Sequence, residues 1–226
     1  PQEPSPERMT KAFVDNPKSG IKVMDWQVSS SGYAAVWATD NTREALWDAM
    51  QRRETYGTTG PRMVVRFFGG WSFDKADAEA GNPAMAGYAK GVPMGGDLAR
   101  APAGKSPTFL VAAMKDPIGA NLDGIQVVKG WLAATGETHE QVHDVAWSGG
   151  RKPGKDGKVP LVGNTVDLAN ATWTNTIGAP ELIAVWKDPA FDATQRAFYY
   201  ARVIEIPTPR WTAYDAKRFG TKPLPG

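Results

Sequence analysis

Residues 41–63 read NTREALWDAMQRRETYGTTGPRM, and this stretch marks a change in the architecture of the chain. Its first part predicts a helix over residues 40–56, because Asn41 can cap the N-terminus and Glu44 can complete a capping box. Gly57 and Gly60 predict the end of that helix. The run MVVRFF at 63–68 is typical of a β-strand. The sequence therefore predicts a helix before residue 61 and β-structure after it.

The chain beyond this junction alternates apolar and polar residues in short runs that are separated by turn residues. The clearest example is AFYYARVIEI at 197–206, in which the side-chain pattern has a period of two. The 24 glycines and 18 prolines predict many turns between these strands. We therefore expect a mainly β fold (α+β overall) built as a β-sandwich, with a linker at 1–20 and long loops at 74–107 and 149–162. The strands are predicted at 62–68, 108–115, 124–132, 141–147, 181–186 and 197–206.

Composition restricts the classes of function. The 226 residues carry 26 basic and 24 acidic side chains, a net charge of +2 that does not favour a nucleic-acid partner. No apolar run reaches the ~18–20 residues that a transmembrane helix needs. The absence of cysteine excludes disulfides, thiolate metal sites and a cysteine nucleophile.

The segment His139-Glu140-Gln141-Val142-His143 fits the HExxH pattern of zinc proteases. That chemistry needs a helix, which places both imidazoles on one face. Here Gly136 precedes the motif and QVHDVAW alternates with a period of two, which predicts a strand. On a strand the two histidines lie ~13 Å apart, too far to share one metal ion. We therefore interpret the motif as a chance match and assign no metal ligand to this chain.

Two groups of residues are candidates for a substrate wall or for an interdomain clamp. The first group lies at the end of the predicted helix, where charged residues are either solvated or paired with one another, or contact a neighbouring active site. The second group surrounds the rigid segment EIPTPRW at 205–211, where two prolines fix an extended path and Arg210 can be presented to an anion. For this second group the alternative is a clamp of paired charges, with Trp211 stacked on a guanidinium. The candidates are Arg52, Arg53, Glu54, Tyr56, Arg202, Glu205, Arg210 and Trp211.

Two further features have structural explanations. Lys129 and Trp131 in QVVKGW are candidates for surface binding, but edge and core positions of a strand explain them as well. The loop at 116–123 offers three side-chain oxygens, from Asp116, Asn121 and Asp123. Turn capping explains these oxygens without a metal ion.

Many blocks of the chain resemble a bacterial family called domain of unknown function three-six-zero-four, which is allied to PHP-like metallohydrolases. They include EPSPER at 3–8, RRETYGTTGPRM at 52–63, RFFGGW at 66–71, GVPMGGDL at 91–98, KDPIGANLDGIQVVKGW at 115–131, NTIGAPEL at 175–182 and AFYYARVIEIPTPRW at 197–211. The resemblance implies that residues 1–60 are a linker and the last strand and helix of a PHP-like α/β barrel. It implies that residues 61–215 are a β-sandwich and that 216–226 are a C-terminal tail.

The same resemblance implies a function. The chain is expected to be the C-terminal region of a metal-dependent hydrolase, without catalytic activity by itself, whose sandwich packs on the barrel and shapes its active site. The divalent metal is then bound in the upstream barrel of the same protein, and that barrel is also the main partner of this chain. A periplasmic or secreted location follows by resemblance only. The alternatives are a β-sandwich module that binds carbohydrate or a partner, a zinc protease at the HExxH motif, and a structural role. Substrate and oligomeric state stay open.

Overall fold

The computed structural model describes residues 5–28 and 32–222 of the chain. The predicted linker residues 1–4 and tail residues 223–226, together with residues 29–31, lie outside this range. The strands are β1 (Ala12–Asn16), β2 (Ile21–Met24), β3 (Tyr33–Val36), β4 (Thr55–Thr58), β5 (Val64–Gly70), β6 (Gly91–Pro93), β7 (Thr108–Met114), β8 (Leu122–Leu132), β9 (Thr138–Trp147), β10 (Glu181–Lys187) and β11 (Arg196–Glu205). The α-helices are α1 (Arg43–Gln51), α2 (Lys75–Glu79), α3 (Pro83–Lys90) and α4 (Trp211–Phe219).

The mainly β fold is confirmed, and each of the six strands predicted from the sequence is present. Two antiparallel sheets form the larger part of the molecule, with strand orders β10-β7-β5-β6 and β11-β8-β9. Their inner faces share one core, in which Phe67, Phe109 and Val111 of the first sheet pack with Ile125 and Val127 of the second. This packing of sheet on sheet is a β-sandwich.

Helices cover the other face of the four-stranded sheet. Phe68 and Leu110 point away from the sandwich core and pack with Phe73 and with alanines of α2 and α3. Strand β7 is therefore buried on both faces, which explains its nearly continuous apolar sequence TFLVAAM. The prediction of an irregular loop over 74–107 is wrong for residues 75–93, which form α2, α3 and β6. Asp74 caps α2 and Asn82 caps α3, two signals that the glycine and proline content of this segment masks.

The junction quoted above is helical over a shorter range than predicted. Helix α1 ends at Gln51, and the N-cap is Thr42 rather than Asn41, because the Thr42 hydroxyl accepts the amide of Ala45. Residues Thr55–Thr58 form β4, which pairs antiparallel with β3. Gly57 therefore lies inside a strand and does not end the helix.

The described residues divide into two compact units. The larger unit, residues 32–163 and 177–206, contains the sandwich. The smaller unit comprises residues 5–28, 164–176 and 207–222. In the smaller unit β1 and β2 form a hairpin within the segment predicted as linker, and α4 extends into the predicted tail. The Lys217 Nζ donates a hydrogen bond of 2.7 Å to the carbonyl of Asn170, which joins two of the segments.

None of the helices in the described range has both the length and the apolar character that are required to span a bilayer.

Candidate functional site

The sandwich unit contains a cavity of about 1290 Å³. Small-molecule sites commonly have volumes of ~300–1,000 Å³, so this cavity has room for a ligand and for water. Its apolar wall comes from β5, β7 and the loops after β6 and β10, and includes Phe67, Phe109, Trp71, Leu98 and Phe191. Polar side chains lie among the apolar ones, and these are Arg53, Thr55, Tyr56, Asp97, Arg100, Thr194, Gln195, Tyr199 and Tyr200.

The turn after α1 fixes the backbone of Arg53 at the cavity wall. The amides of Arg53 and Glu54 donate to the carbonyls of Met50 and Ala49, at 2.9 and 3.0 Å, which is a Schellman motif. This motif requires a left-handed residue, and Arg53 adopts φ 62° without being glycine. Gly95 packs directly against the Arg53 backbone, so closely that a Cβ at position 95 would overlap it. The turn after α1 and the loop after β6 are therefore in close backbone contact.

The guanidinium of Arg53 has one ionic partner in the described residues. Its Nη2 lies 3.2 Å from Oδ2 of Asp97, and both side chains are largely exposed. Arg100 is a second exposed cation that lines the cavity. The polar part of the cavity wall therefore carries two guanidinium groups and one carboxylate, which favours an anionic group on a bound molecule.

Glu54 and Tyr56, which follow Arg53, have structural partners. Glu54 is 3% exposed, and its carboxylate accepts the Tyr88 hydroxyl and lies 3.5 Å from Nη1 of Arg66. Arg52 joins the same network at 3.6 Å from Glu54. The Tyr56 hydroxyl donates to the Met63 carbonyl at 3.0 Å, and burial raises the pKa of this phenol. These three residues hold the turn that presents Arg53.

A second buried ionic cluster lies between the two sheets. Asp188 is fully buried, and Oδ2 of Asp188 accepts both Nζ of Lys129 and the Tyr199 hydroxyl, each at 2.7 Å. Burial opposes the charge on Asp188, but the hydrogen bonds from Lys129 and Tyr199 outweigh it and hold the pKa of Asp188 below its ordinary value. The same burial and the neighbouring carboxylate raise the pKa of Tyr199. Lys129 is therefore a central-strand residue, neither a surface binder nor an edge residue.

The two candidates on β11 have separate surroundings. Arg202 donates to Oε1 of Gln126 at 3.5 Å and to the Tyr200 hydroxyl at 3.3 Å. Oε1 of Glu205 is buried and accepts no hydrogen bond from the described residues. Burial, followed by the charge of Asp116, raises the pKa of Glu205 to about 7. Arg202 and Glu205 therefore do not belong to one charge cluster.

Arg210 and Trp211 belong to the smaller unit. The guanidinium of Arg210 lies 5.7 Å from the centroid of the Trp26 ring, a cation–π geometry. Trp211 is the first residue of α4. Arg210 therefore contacts an aromatic ring within the smaller unit, and the stacking of Trp211 on a guanidinium stays a prediction.

His139, Glu140 and His143 all lie in strand β9, as predicted. The His139 ring stacks on Trp131 and the His143 ring packs on Trp186, with centroids 5.2 and 4.8 Å apart. The strand removes the helical face that the zinc motif requires. Over residues 5–28 and 32–222 no three His, Asp or Glu side chains are grouped to hold a metal ion. The described side chains therefore do not offer the grouped ligands that a divalent metal site needs, and the resemblance assigns that metal to the upstream barrel.

The cavity joins blocks that the sequence analysis treated separately. RRETYGTTGPRM, RFFGGW, GVPMGGDL and the start of AFYYARVIEIPTPRW all contribute to its wall. Trp71, Asp97, Arg100 and Phe191 were missed as candidates. They lie in loops without periodicity, and only their membership in, or proximity to, those blocks could have suggested them.

The comparison with known families agrees with these blocks. Residues 2–226 match the family described as "Protein of unknown function (DUF3604)". The chain belongs to this family. No curated protein and no solved structure matches this chain.

Proposed function

We propose that this chain is the C-terminal region of a PHP-like metal-dependent hydrolase, and that its cavity forms part of the wall that binds the substrate. The upstream barrel of the same protein supplies the metal and the reaction. The sandwich packs on that barrel and shapes its active site, and it is not catalytic by itself. The proposal draws on the resemblance to the PHP-associated family and on the chemistry of the cavity.

The observation that carries the proposal is the fixed presentation of Arg53 at the cavity wall. A left-handed arginine costs ~1–2 kcal/mol of backbone strain, and such strain concentrates at binding sites. The Schellman turn, the contact with Gly95 and the buried Glu54 network hold this backbone before a ligand arrives. Because this backbone is already ordered, binding of an anion by Arg53 has to order only the side chain.

The apolar and aromatic wall supports an organic substrate with an anionic group. Phe67 and Phe109 stack with centroids 5.4 Å apart, and Trp71 meets Phe191 edge to face at 5.9 Å. Trp71 and Phe191, which are only partly buried, bind an apolar body while Arg53 and Arg100 meet the charge. A phosphoester or another ester with an anionic substituent has this chemistry, and the assignment to ester hydrolysis rests on family analogy.

The first test compares the 226-residue chain with the full polypeptide of the source organism. We expect p-nitrophenyl phosphate and p-nitrophenyl acetate to be hydrolysed by the full polypeptide with Mn²⁺ or Zn²⁺, and not by the 226-residue chain. Turnover by the 226-residue chain that disappears in His143→Ala would overturn the proposal in favour of a metal centre within this chain.

The second test concerns the substrate wall within the full polypeptide. Arg53→Ala should raise KM several-fold for the anionic phosphoester and leave KM for the neutral acetate unchanged, because the guanidinium binds charge. Arg43→Ala is the matched control, since Arg43 lies on α1 and does not line the cavity. Equal effects of the two substitutions on KM would show that the cavity does not bind the substrate.

A further inference from the structure

The outer face of the three-stranded sheet carries two exposed aromatic side chains on β11. Phe198 is 62% exposed and Tyr200 is 39% exposed. They project from the same face, because they are two residues apart on a strand, and Tyr199 between them points into the sandwich core. Their ring planes differ by 13° and their centroids are 6.4 Å apart. We call Phe198 and Tyr200 the ring pair.

The sheet holds the ring pair in place. Phe198 lies opposite Gly130 of β8, and its ring covers this glycine so closely that a Cβ at position 130 would overlap the ring. Tyr200 lies opposite Val128, which is fully buried, and its hydroxyl accepts Nη2 of Arg202 at 3.3 Å. Two nearly parallel rings are thus presented to solvent with little freedom to lose on binding.

A row of polar side chains crosses all three strands beside the ring pair. Arg202 of β11 donates to Oε1 of Gln126 on β8 at 3.5 Å, and Nε2 of Gln126 donates to Oδ1 of Asp144 on β9 at 2.8 Å. The amide of Val159 donates to the second oxygen of Asp144 at 2.8 Å, which fixes the far end. We call Arg202, Gln126 and Asp144 the polar row. Its positive and negative charges balance.

The geometry points to a neutral polysaccharide as the ligand of this face. A pyranose has apolar C–H faces that pack on aromatic rings, and its hydroxyl groups both donate and accept hydrogen bonds. The ring pair supplies the first kind of contact and the polar row supplies the second, on neighbouring positions of β11, β8 and β9. An acidic polymer would need unbalanced cations, and Arg202 is balanced by Asp144. Phe198 and Tyr200 also line the edge of the cavity, but binding of a neutral polymer by this face is measured without any hydrolysis and goes beyond the proposed hydrolase role.

Affinity electrophoresis in native gels tests the proposal with the 226-residue chain. The gels contain β-glucan, xylan or galactomannan as neutral polymers and polygalacturonate as the acidic comparison. We expect at least one neutral polymer to retard the chain, and polygalacturonate not to. Tyr200→Ala should weaken the retarding interaction about tenfold or more, because it removes half of the ring pair. Tyr200→Phe keeps the ring and should weaken binding only slightly.

Tyr214→Ala is the matched control, since Tyr214 is 42% exposed on α4, outside the ring pair. Near-UV circular dichroism verifies that each variant is folded. Absence of retardation by all three neutral polymers would overturn the proposal, as would equal retardation of wild type and Tyr200→Ala. Self-association that is lost in Tyr200→Ala would show instead that the face is a protein interface.

Discussion

Lys129 and Asp188 show how a single buried charge depends on its partner. Lys129 is only 3% exposed, so replacing Asp188 with Asn leaves a buried ammonium group without a counter-charge. Removing one member of a buried pair costs ~3–5 kcal/mol, so we expect Asp188→Asn to lower the free energy of unfolding by that amount. Urea unfolding measures it. Glu79→Gln is the control, because its ion pair with Lys75 is exposed and should have no measurable effect. Equal stabilities of the Asp188 and Glu79 variants would contradict this account.

Glu205 predicts a pH dependence of stability. Its pKa of about 7 in the folded protein lies above the ordinary value of 4.5, so the folded protein keeps a proton that the unfolded chain releases. The stabilising contribution of this proton is complete below pH 4.5 and is lost as the pH rises through about 7. Because solvent screens a half-buried group, we expect the free energy of unfolding to fall by about 1–2 kcal/mol over this pH range.

Glu205→Gln should abolish that loss, because glutamine does not titrate. Urea unfolding at intervals from pH 5 to pH 8 should show the wild type losing stability relative to Glu205→Gln. Asp116 and Lys115 are the charged neighbours that shift this pKa, so both must be retained in the variant. Glu181→Gln, at the exposed start of β10, is the control. A difference between wild type and Glu205→Gln that does not change with pH would contradict the assignment.

These residues also show where prediction from sequence ends. The pattern in QVVKGW correctly placed Lys129 on a strand, but nothing local identified its partner Asp188, 59 positions away. The hydrogen bonds that cap the turn at Asp116 were predictable, since Asp116 accepts the Ile118 amide two residues ahead. The elevated pKa of Glu205 was not, because it depends on burial in the folded chain and on the charge of Asp116, which is distant in sequence.

The turn that joins α1 to β4 combines backbone strain with the binding role proposed for Arg53. Arg53→Gly should stabilise the fold by about 0.5–1 kcal/mol, since glycine adopts φ 62° without a steric cost but has greater entropy in the unfolded chain. Gly95→Ala should destabilise it by ~2 kcal/mol or more, because the new Cβ overlaps the Arg53 backbone and φ is 80°. Thermal unfolding measures both changes.

Ala171→Gly provides the comparison for Arg53→Gly, because Ala171 belongs to the smaller unit, has a positive φ of 49° and is not among the residues that line the cavity. Both glycine variants should be more stable than wild type, but only Arg53→Gly should raise KM in the hydrolase assay of the full polypeptide. Destabilisation by Arg53→Gly would show that the side chain contributes more to the fold than the strain costs.

Elements with a strong repeating pattern were predictable, and short capped elements were not. Strand β11 alternates over ten residues, and its predicted limits differ from the observed ones by one residue. Helix α2 has only five residues, too few to show a helical period. The shortened α1 has a similar origin, because its end depends on a left-handed arginine where the sequence offers two later glycines.

The division into units suggests that the sandwich folds independently, although its chain is interrupted. The chain leaves the sandwich unit after residue 163 and re-enters it at residue 177. A Cβ at Gly163 would lie 3.5 Å from the Ile177 side chain, so the two ends of the interruption are adjacent. A short connection can therefore replace residues 164–176 at little entropic cost.

We expect a chain of residues 32–206 with a short Gly/Ser linker in place of 164–176 to fold into the sandwich. The closely packed core rings, such as Phe109 and Tyr199 with centroids 4.4 Å apart, should give a near-UV dichroism signal, and urea should unfold the chain cooperatively. Asp188→Asn should destabilise this shortened chain by the same amount as the 226-residue chain, because its partners all lie within the sandwich. A shortened chain that binds a hydrophobic dye and lacks a near-UV signal would show instead that the sandwich core needs the smaller unit.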